Sequence, residues 1–305
     1  MNYFRNILVH VDSRAAVHPI LDRAVELAKE HGSSIKVVDV VPDFSWPIRV
    51  AAGDYHEVQQ HVANKKLETI NSLLAEVSKQ GVQAEGKVLH GKASIAIMAE
   101  VESGQHDLVM KDAKGIGSRR SGWFGTTATR LLRFCPCAVW AYRPAASSQE
   151  RVVAAVDVTA ADDQHAALNR AILDIAFVLC HGRRPHVVHA WNAYGEGLIK
   201  DYVKREEFES LVEDAKKESR SRMAELLKPY GLSADATEVH FVHGPEEEEI
   251  PKFVIEQKFD VLVMGTVGRS GISGFFIGNT AEILLDRVPC SVLAVKNPRP
   301  AASVP

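Results

Sequence analysis

The chain has no apolar run near the ~18 residues of a membrane span, little net charge, few cysteines and none of the common phosphate-loop signatures. Its formal net charge is −3 with acids and bases interspersed, so no nucleic-acid partner is expected. The N-terminus, MNYFRNILVHVD, enters a strand at once, leaving no room for a signal peptide, and neither secretion nor a membrane is expected. Of the four cysteines, Cys137 and Cys290 occupy equivalent strand starts and read as buried, while Cys135 and Cys180 have no counterparts. That usage predicts reduced thiols and a cytoplasmic protein. Cys135-Pro-Cys137 lacks a second ligand pair at zinc spacing, so no metal site is expected. No Gly-x-Gly-x-x-Gly follows either first strand, and Gly91-Lys92-Ala93 lacks the preceding glycine and the hydroxyl of a Walker loop. Dehydrogenases and phosphate-loop ATPases are thereby set aside.

What is present is concentrated between Val261 and Cys290. A short apolar strand runs into Gly265-Thr-Val-Gly268, nine residues follow, and Gly278-Asn279-Thr280 opens an apolar helical run. Glycines at the end of a strand and at the start of a helix let bare backbone approach a phosphate. Two readings stay open, because the same glycines also suit a tight turn and a helix entry.

The chain is a tandem duplication. Gly125–Cys137 laid on Gly278–Cys290 gives seven identities in thirteen without a gap, where average composition gives about one. Val11-Asp12 matches Val156-Asp157, Leu21-x-Arg23-Ala24 matches Leu168-x-Arg170-Ala171, and His90-Gly91 matches His243-Gly244. A period near half the chain means two whole domains, expected at 1–146 and 147–305 with the linker around Arg143–Glu150. Aligned on Met110 and Met264, the first half sets Lys111 and Lys114 in place of Gly265 and Gly268, with ten residues instead of nine before Gly125.

Each half alternates short β-branched runs with helical patterns, which predicts an α/β fold with parallel sheets and right-handed crossovers. The longest helix of the first half, roughly Tyr55–Lys79, shows an apolar face at Leu67, Ile70, Leu74 and Val77. Pro245 and the four glutamates after it open another helix, the acids complementing its dipole. In open parallel sheets ligands bind beyond the carboxyl ends of the strands, where strand order reverses. Asp157 and Gly265 meet there if the first and fourth strands of the second half are neighbours.

The stretch VMGTVGRSGISGFFIGNTAE resembles the nucleotide loop of universal stress proteins, whose pattern is Gly, two residues, Gly, nine residues, Gly and then Ser or Thr. The resemblance covers nearly the whole chain twice over. It implies two tandem, doubly wound, Rossmann-like domains with five-stranded parallel sheets of order 3-2-1-4-5. It also implies pairing of the domains through their fifth strands, as an intrachain pseudo-dimer and in some members a homodimer. It carries nucleotide contacts onto Asp157, Ala190, Gly265, Gly268, Arg269, Gly278, Asn279 and Thr280, with ATP, accompanied by Mg²⁺, as the ligand. Asn279 departs from the Ser or Thr of the pattern, although its amide still donates and Thr280 is adjacent. In the first half Asp12, Val40, Gly125 and Thr126 survive, and the lysines make that site read as degenerate or as an anion site built by charge from Lys111, Lys114, Arg119 and Arg120.

No nucleophile, base and orienting group converge in the sequence, so a sensor or regulator without efficient catalysis is expected. Enzymes of related nucleotide folds carry Ser-Gly-Gly-x-Asp-Ser or His-x-Gly-His near a first strand, and neither is present. The alternative is a scaffold or a protein for an apolar ligand, with Phe44, Trp46, Trp191 and Tyr194 at the ligand mouth. Asp157 also reads as a loop or helix cap, and His240 and His243 as satisfied rim histidines.

Overall fold

In the computed structural model, the described residues are 3–43, 55–116, 118, 121–147, 149–159, 162–193, 195–196, 202–266 and 278–296. Residue contacts divide the chain into two units, Met1–Pro144 and Ala145–Pro305.

The first unit runs β1 (Asn6–His10), α1 (Pro19–His31), β2 (Ser34–Val41), α2 (Tyr55–Lys79), β3 (Ala84–His90), α3 (Ala93–Gly104), β4 (Leu108–Asp112), α4 (Thr126–Phe134) and β5 (Ala138–Tyr142). The strands are parallel in the order β3-β2-β1-β4-β5. The second unit repeats this with β6 (Val152–Ala155), α5 (Asp163–Leu179), β7 (His186–Trp191), α6 (Arg205–Leu227), β8 (Val239–His243), α7 (Glu246–Glu256), β9 (Val261–Gly265), α8 (Asn279–Arg287) and β10 (Ser291–Val295). Its order is β8-β7-β6-β9-β10, again all parallel. Both units therefore have the 3-2-1-4-5 order that the resemblance implies.

Central strands are buried on both faces, as helices on two sides of a parallel sheet require; Ile7, Leu8, Val9, Val109, Val153 and Leu262 are fully inaccessible. At the edge, β3 alternates half-buried and exposed positions up to Leu89. The repeated His-Gly pairs have a backbone cause. Gly91 and Gly244 follow the third strand of each unit with φ of 103° and 134°, conformations that L side chains rarely adopt. Each donates its N–H back to the second strand, to Val41 O and Trp191 O, both at 3.0 Å.

The long helix α2 packs through Ala63, Ile70 and Val77, seven residues apart, and Leu67 lies 40% exposed. The expected apolar face is thus rotated away from Leu67; Lys66 beside it reaches inward to Asp39 instead, at 2.7 Å. Helix α5 begins at Asp163 because Asp162 caps it by accepting from His165 N at 2.9 Å. All four glutamates after Pro245 fall in the first turn of α7, as the dipole argument requires.

Candidate functional site

In the second unit the first and fourth strands are neighbours, with Ala155 opposite Met264 in the ladder. Strand order reverses between them, so Asp157 and Gly265 sit at the switch point. A cavity of about 110 Å³ opens there, lined by Asp157, Ala190, Gly265 and Gly278 among others. Its floor and walls are largely apolar, from Ala155, Leu168, Ile172, Ile250, Met264 and Leu284.

Asp157 accepts from the Thr159 N–H at 2.9 Å and from the Thr159 hydroxyl. Asn169 on α5 holds the same residue from the other side, donating to Asp157 O at 2.7 Å and accepting from Asp157 N at 3.1 Å. Asp157 therefore caps the loop after β6 while its carboxyl lines the cavity. Asn169, which the sequence reading missed, fixes that loop; no spacing signal marks it.

Gly265 is spoken for by packing. A Cβ placed on it would lie 2.6 Å from Leu168 Cδ2 and 3.2 Å from Leu168 Cγ. Gly278 is the N-cap of α8, and its N–H donates to Thr266 O at 2.9 Å. That amide is consumed, so anion binding at this helix start falls to the first-turn amides of α8 from Asn279 onward, which a helix cannot satisfy internally. Ala190 is 5% exposed, inside β7. Gly268, Arg269 and the side chains of Asn279 and Thr280 lie outside the described residues, as do Phe44, Trp46 and Tyr194. Trp191 packs its ring against His243, 4.5 Å between centroids. His243 binds Glu196 at 3.0 Å and His240 binds His186 at 3.0 Å, both satisfied at the rim.

His165 brings a polar edge to this cavity. His165 Nδ1 meets Asp162 Oδ2 at 2.6 Å, while its Nε2 is buried without a hydrogen bond. In the neutral ring with its proton on Nδ1, facing the Asp162 carboxylate, Nε2 is an acceptor.

The first unit corrects the sequence alignment by one residue. Asp107 accepts from Arg5 N at 2.7 Å and Asp260 from Arg151 N at 2.9 Å, so these two aspartates are equivalent. The ladders agree, with His10 opposite Lys111 where Ala155 is opposite Met264. So do the loop bonds, because Gly125 N donates to Ala113 O at 2.7 Å as Gly278 N does to Thr266 O at 2.9 Å. Lys111 thus replaces Met264, Asp112 replaces Gly265, and Gly115 occupies the position of Gly268. Nine residues, not ten, separate Gly115 from Gly125, and Thr126 stands where Asn279 does.

The corresponding cavity in the first unit is about 520 Å³ and carries charge, lined by His10, Asp12, Arg14, Asp39, Lys66, Lys111 and Asp112 beside Val40, Val62 and Ile116, with Gly115, Ser118, Gly125 and Thr126. Arg14 grips Asp12 through Nε at 2.8 Å and Nη2 at 2.6 Å, holding that carboxyl down at about 2. Burial pushes the Asp39 carboxyl up, but hydrogen bonds from Lys66 and Ser13 outweigh it and hold it below the usual range. Burial, with Lys111 nearby, lowers His10 to about 3, so its ring is neutral. Burial also lowers Lys111, against the opposing pull of Asp112, Asp12 and Asp39, and raises Asp112. Lys114 donates to Gly122 O at 3.2 Å on the exposed side, and Arg119 and Arg120 lie outside the described residues.

A family model described as the Universal stress protein family matches residues 3–143 and again 149–296. Universal stress protein E of Escherichia coli is 31% identical over 302 residues, covering 97% of this chain and 95% of that protein. A Universal stress protein E homolog of Haemophilus influenzae is 26% identical, covering 96% and 97%. Among solved structures, a functionally unknown protein from Pseudomonas aeruginosa superposes with a TM-score of 0.72 at 24% identity, covering 96% of this chain and 93% of that one. A universal stress protein from Archaeoglobus fulgidus gives 0.55 at 17% identity, covering 96% and 99%. At these identities the two structures speak to the fold alone.

Proposed function

The chain belongs to the universal stress protein family, and on that premise we propose that it is a stress-response regulator whose second domain binds adenine nucleotide. The observation that carries this reading is the switch-point cavity with its unsatisfied acceptor, His165 Nε2. An exocyclic amino group on a flat, mostly apolar base suits that acceptor and the floor of Leu168, Ile172 and Met264. About 110 Å³ encloses no more than a base, since whole-ligand pockets run from roughly 300 Å³ upward. Ribose and phosphates would extend toward the start of α8, whose dipole favours them. ATP would bring Mg²⁺ with its triphosphate.

This is a sensor's site. On this reading nucleotide acts by shifting a population of conformations. A cytoplasmic location belongs to the same reading; among the described residues no helix is long and apolar enough to cross a membrane.

Calorimetric titration with ATP should give about one site per chain, abolished by Gly268→Val and weakened by His165→Phe. Two equal sites, or full binding by Gly268→Val, would overturn the reading. Hydrogen exchange over residues 265–280 with ATP, beside phosphate release, separates sensing from turnover. Release near ~1 per second would mean that a catalytic group is present. The apolar lining favours one second reading, a compact apolar ligand, which mass spectrometry of the natively purified protein would reveal.

A further inference from the structure

The polar cavity of the first domain holds one cation that its acids do not consume. Arg14 is committed to Asp12 at 2.6 Å and Lys66 to Asp39 at 2.7 Å. Lys111 is 95% buried, being 5% exposed, and makes neither a hydrogen bond nor an ion pair among the described residues. A lysine this buried that lines a cavity with no protein partner for its charge is open to a ligand that brings one.

Its position says what. A Cβ at Gly115 would lie 3.9 Å from Lys111 Nζ, and one at Gly125 would lie 3.7 Å from Gly115 N and 3.5 Å from Ser118 Oγ. The amine therefore lies under the turn from which α4 starts. Gly125 N is spent on Ala113 O, but the first-turn amides from Thr126 onward are not satisfied within the nine-residue helix. Lys111 and the first residues of α4, Thr126, Thr127 and Ala128, line the same cavity.

We propose that the first domain binds a phosphoryl group there, between Lys111 Nζ and the start of α4, on a ligand that is not an adenine nucleotide. The second domain has Met264 at the place of Lys111, and among the described residues no cation lines its cavity. Adenosine is disfavoured because Asp12, the counterpart of Asp157, is clamped by Arg14, and because His10, Lys111 and Asp39 make the floor polar where the second domain is apolar. The facing acids permit the anion. Asp12 and Asp39 are paired, and burial inclines Asp112 toward its neutral form. The site stands independently of nucleotide binding by the second domain.

The experiment is calorimetry of the full chain with inorganic phosphate and with glycerol phosphate as probes. A saturable site is expected, weakened tenfold or more by Lys111→Met, since a charged hydrogen bond is lost. Lys114→Met, on the exposed side of the loop, should change affinity little, and Gly268→Val not at all. Phosphate binding indifferent to Lys111→Met, or lost only in Gly268→Val, overturns the proposal while leaving the nucleotide reading untouched. Equal losses in Lys111→Met and Lys114→Met mean diffuse charge and also overturn it. Should Lys111→Met fail to fold, Gly115→Val fills the space in front of the amine; loss of binding there supports the site and retention refutes it.

Discussion

Replacing Gly265 by alanine tests whether that glycine serves ligand or packing. Gly265 pairs with Val295 as ordinary strand backbone and has no left-handed φ, so alanine costs no backbone strain. The cost is contact: the new Cβ would come within 2.6 Å of Leu168 Cδ2, with Ile172 Cδ1 at 3.5 Å. Leu168 is 5% exposed and cannot swing out without abandoning the core. An extra methyl in a packed site costs about 1–3 kcal/mol. For a domain of this size each kcal/mol lowers Tm by about 2–4 °C. Leu168→Ala alone should cost about 2–5 kcal/mol, but in the double variant the methyl occupies vacated space. Coupling of about 0.5–3 kcal/mol between the two sites is expected. Peptide-resolved hydrogen exchange reads the second domain's stability separately from the first, and ATP calorimetry on the same variants reads binding. Unchanged stability in Gly265→Ala, or strict additivity in the double variant, would refute the packing account. Lost ATP binding at full stability would return Gly265 to the ligand.

Three further outcomes are expected. Lys111→Met should stabilise the first domain in the absence of ligand; burial lowers the Lys111 pKa, so the unfolded chain binds more protons below 10.5, and the gain should shrink as pH rises toward 10.5 in denaturant titrations. Arg14→Ala should cost less than about 1 kcal/mol, because Arg14 is exposed, and should return the Asp12 carboxyl, followed by NMR, from about 2 toward 3.8. The stability contributed by Asp12 is full above pH 3.8 and lost as pH falls to about 2, so the variant should differ most from the parent above pH 3.8 and converge with it as pH falls to about 2. We also propose that the halves pair through β5 (AVWAY) and β10 (SVLAV), since bare apolar edges invite association; residues 1–146 and 147–305 expressed alone should form homodimers or precipitate, and stable monomers would sink the idea.

Much of the fold was legible because parallel sheets write themselves as short apolar runs separated by amphipathic helices, and because the duplication states each signal twice. The site was legible only where backbone geometry demands particular residues. Gly91 and Gly244 repeat because their φ angles require it. The equivalence of β4 and β9 was misread by one residue because two methionines, Met110 and Met264, invited superposition. What sets the register is Asp107 and Asp260, each accepting a backbone N–H from the residue just before the first strand of its unit, a long-range contact without local periodicity. The role of Gly265 was hidden for the same reason, since the atom that fills its space belongs to Leu168, ninety-seven positions earlier in the chain. Asn169 and His165 act through side chains whose partners only the fold brings near.

The strand ladder sets His10 beside Lys111 in one domain and Ala155 beside Met264 in the other. Each cavity floor thus includes a pair of residues laid across neighbouring strands, joined in the first domain by Asp39 from β2. Neither pair works when half-exchanged, because a lone lysine beside alanine would lack its polar company and a lone histidine beside methionine would face only apolar groups. Ligand choice in such a duplicated chain can therefore diverge by paired replacements across neighbouring strands while the backbone stays as it was, and His10→Ala together with Lys111→Met should move that part of the floor toward the chemistry of the other domain.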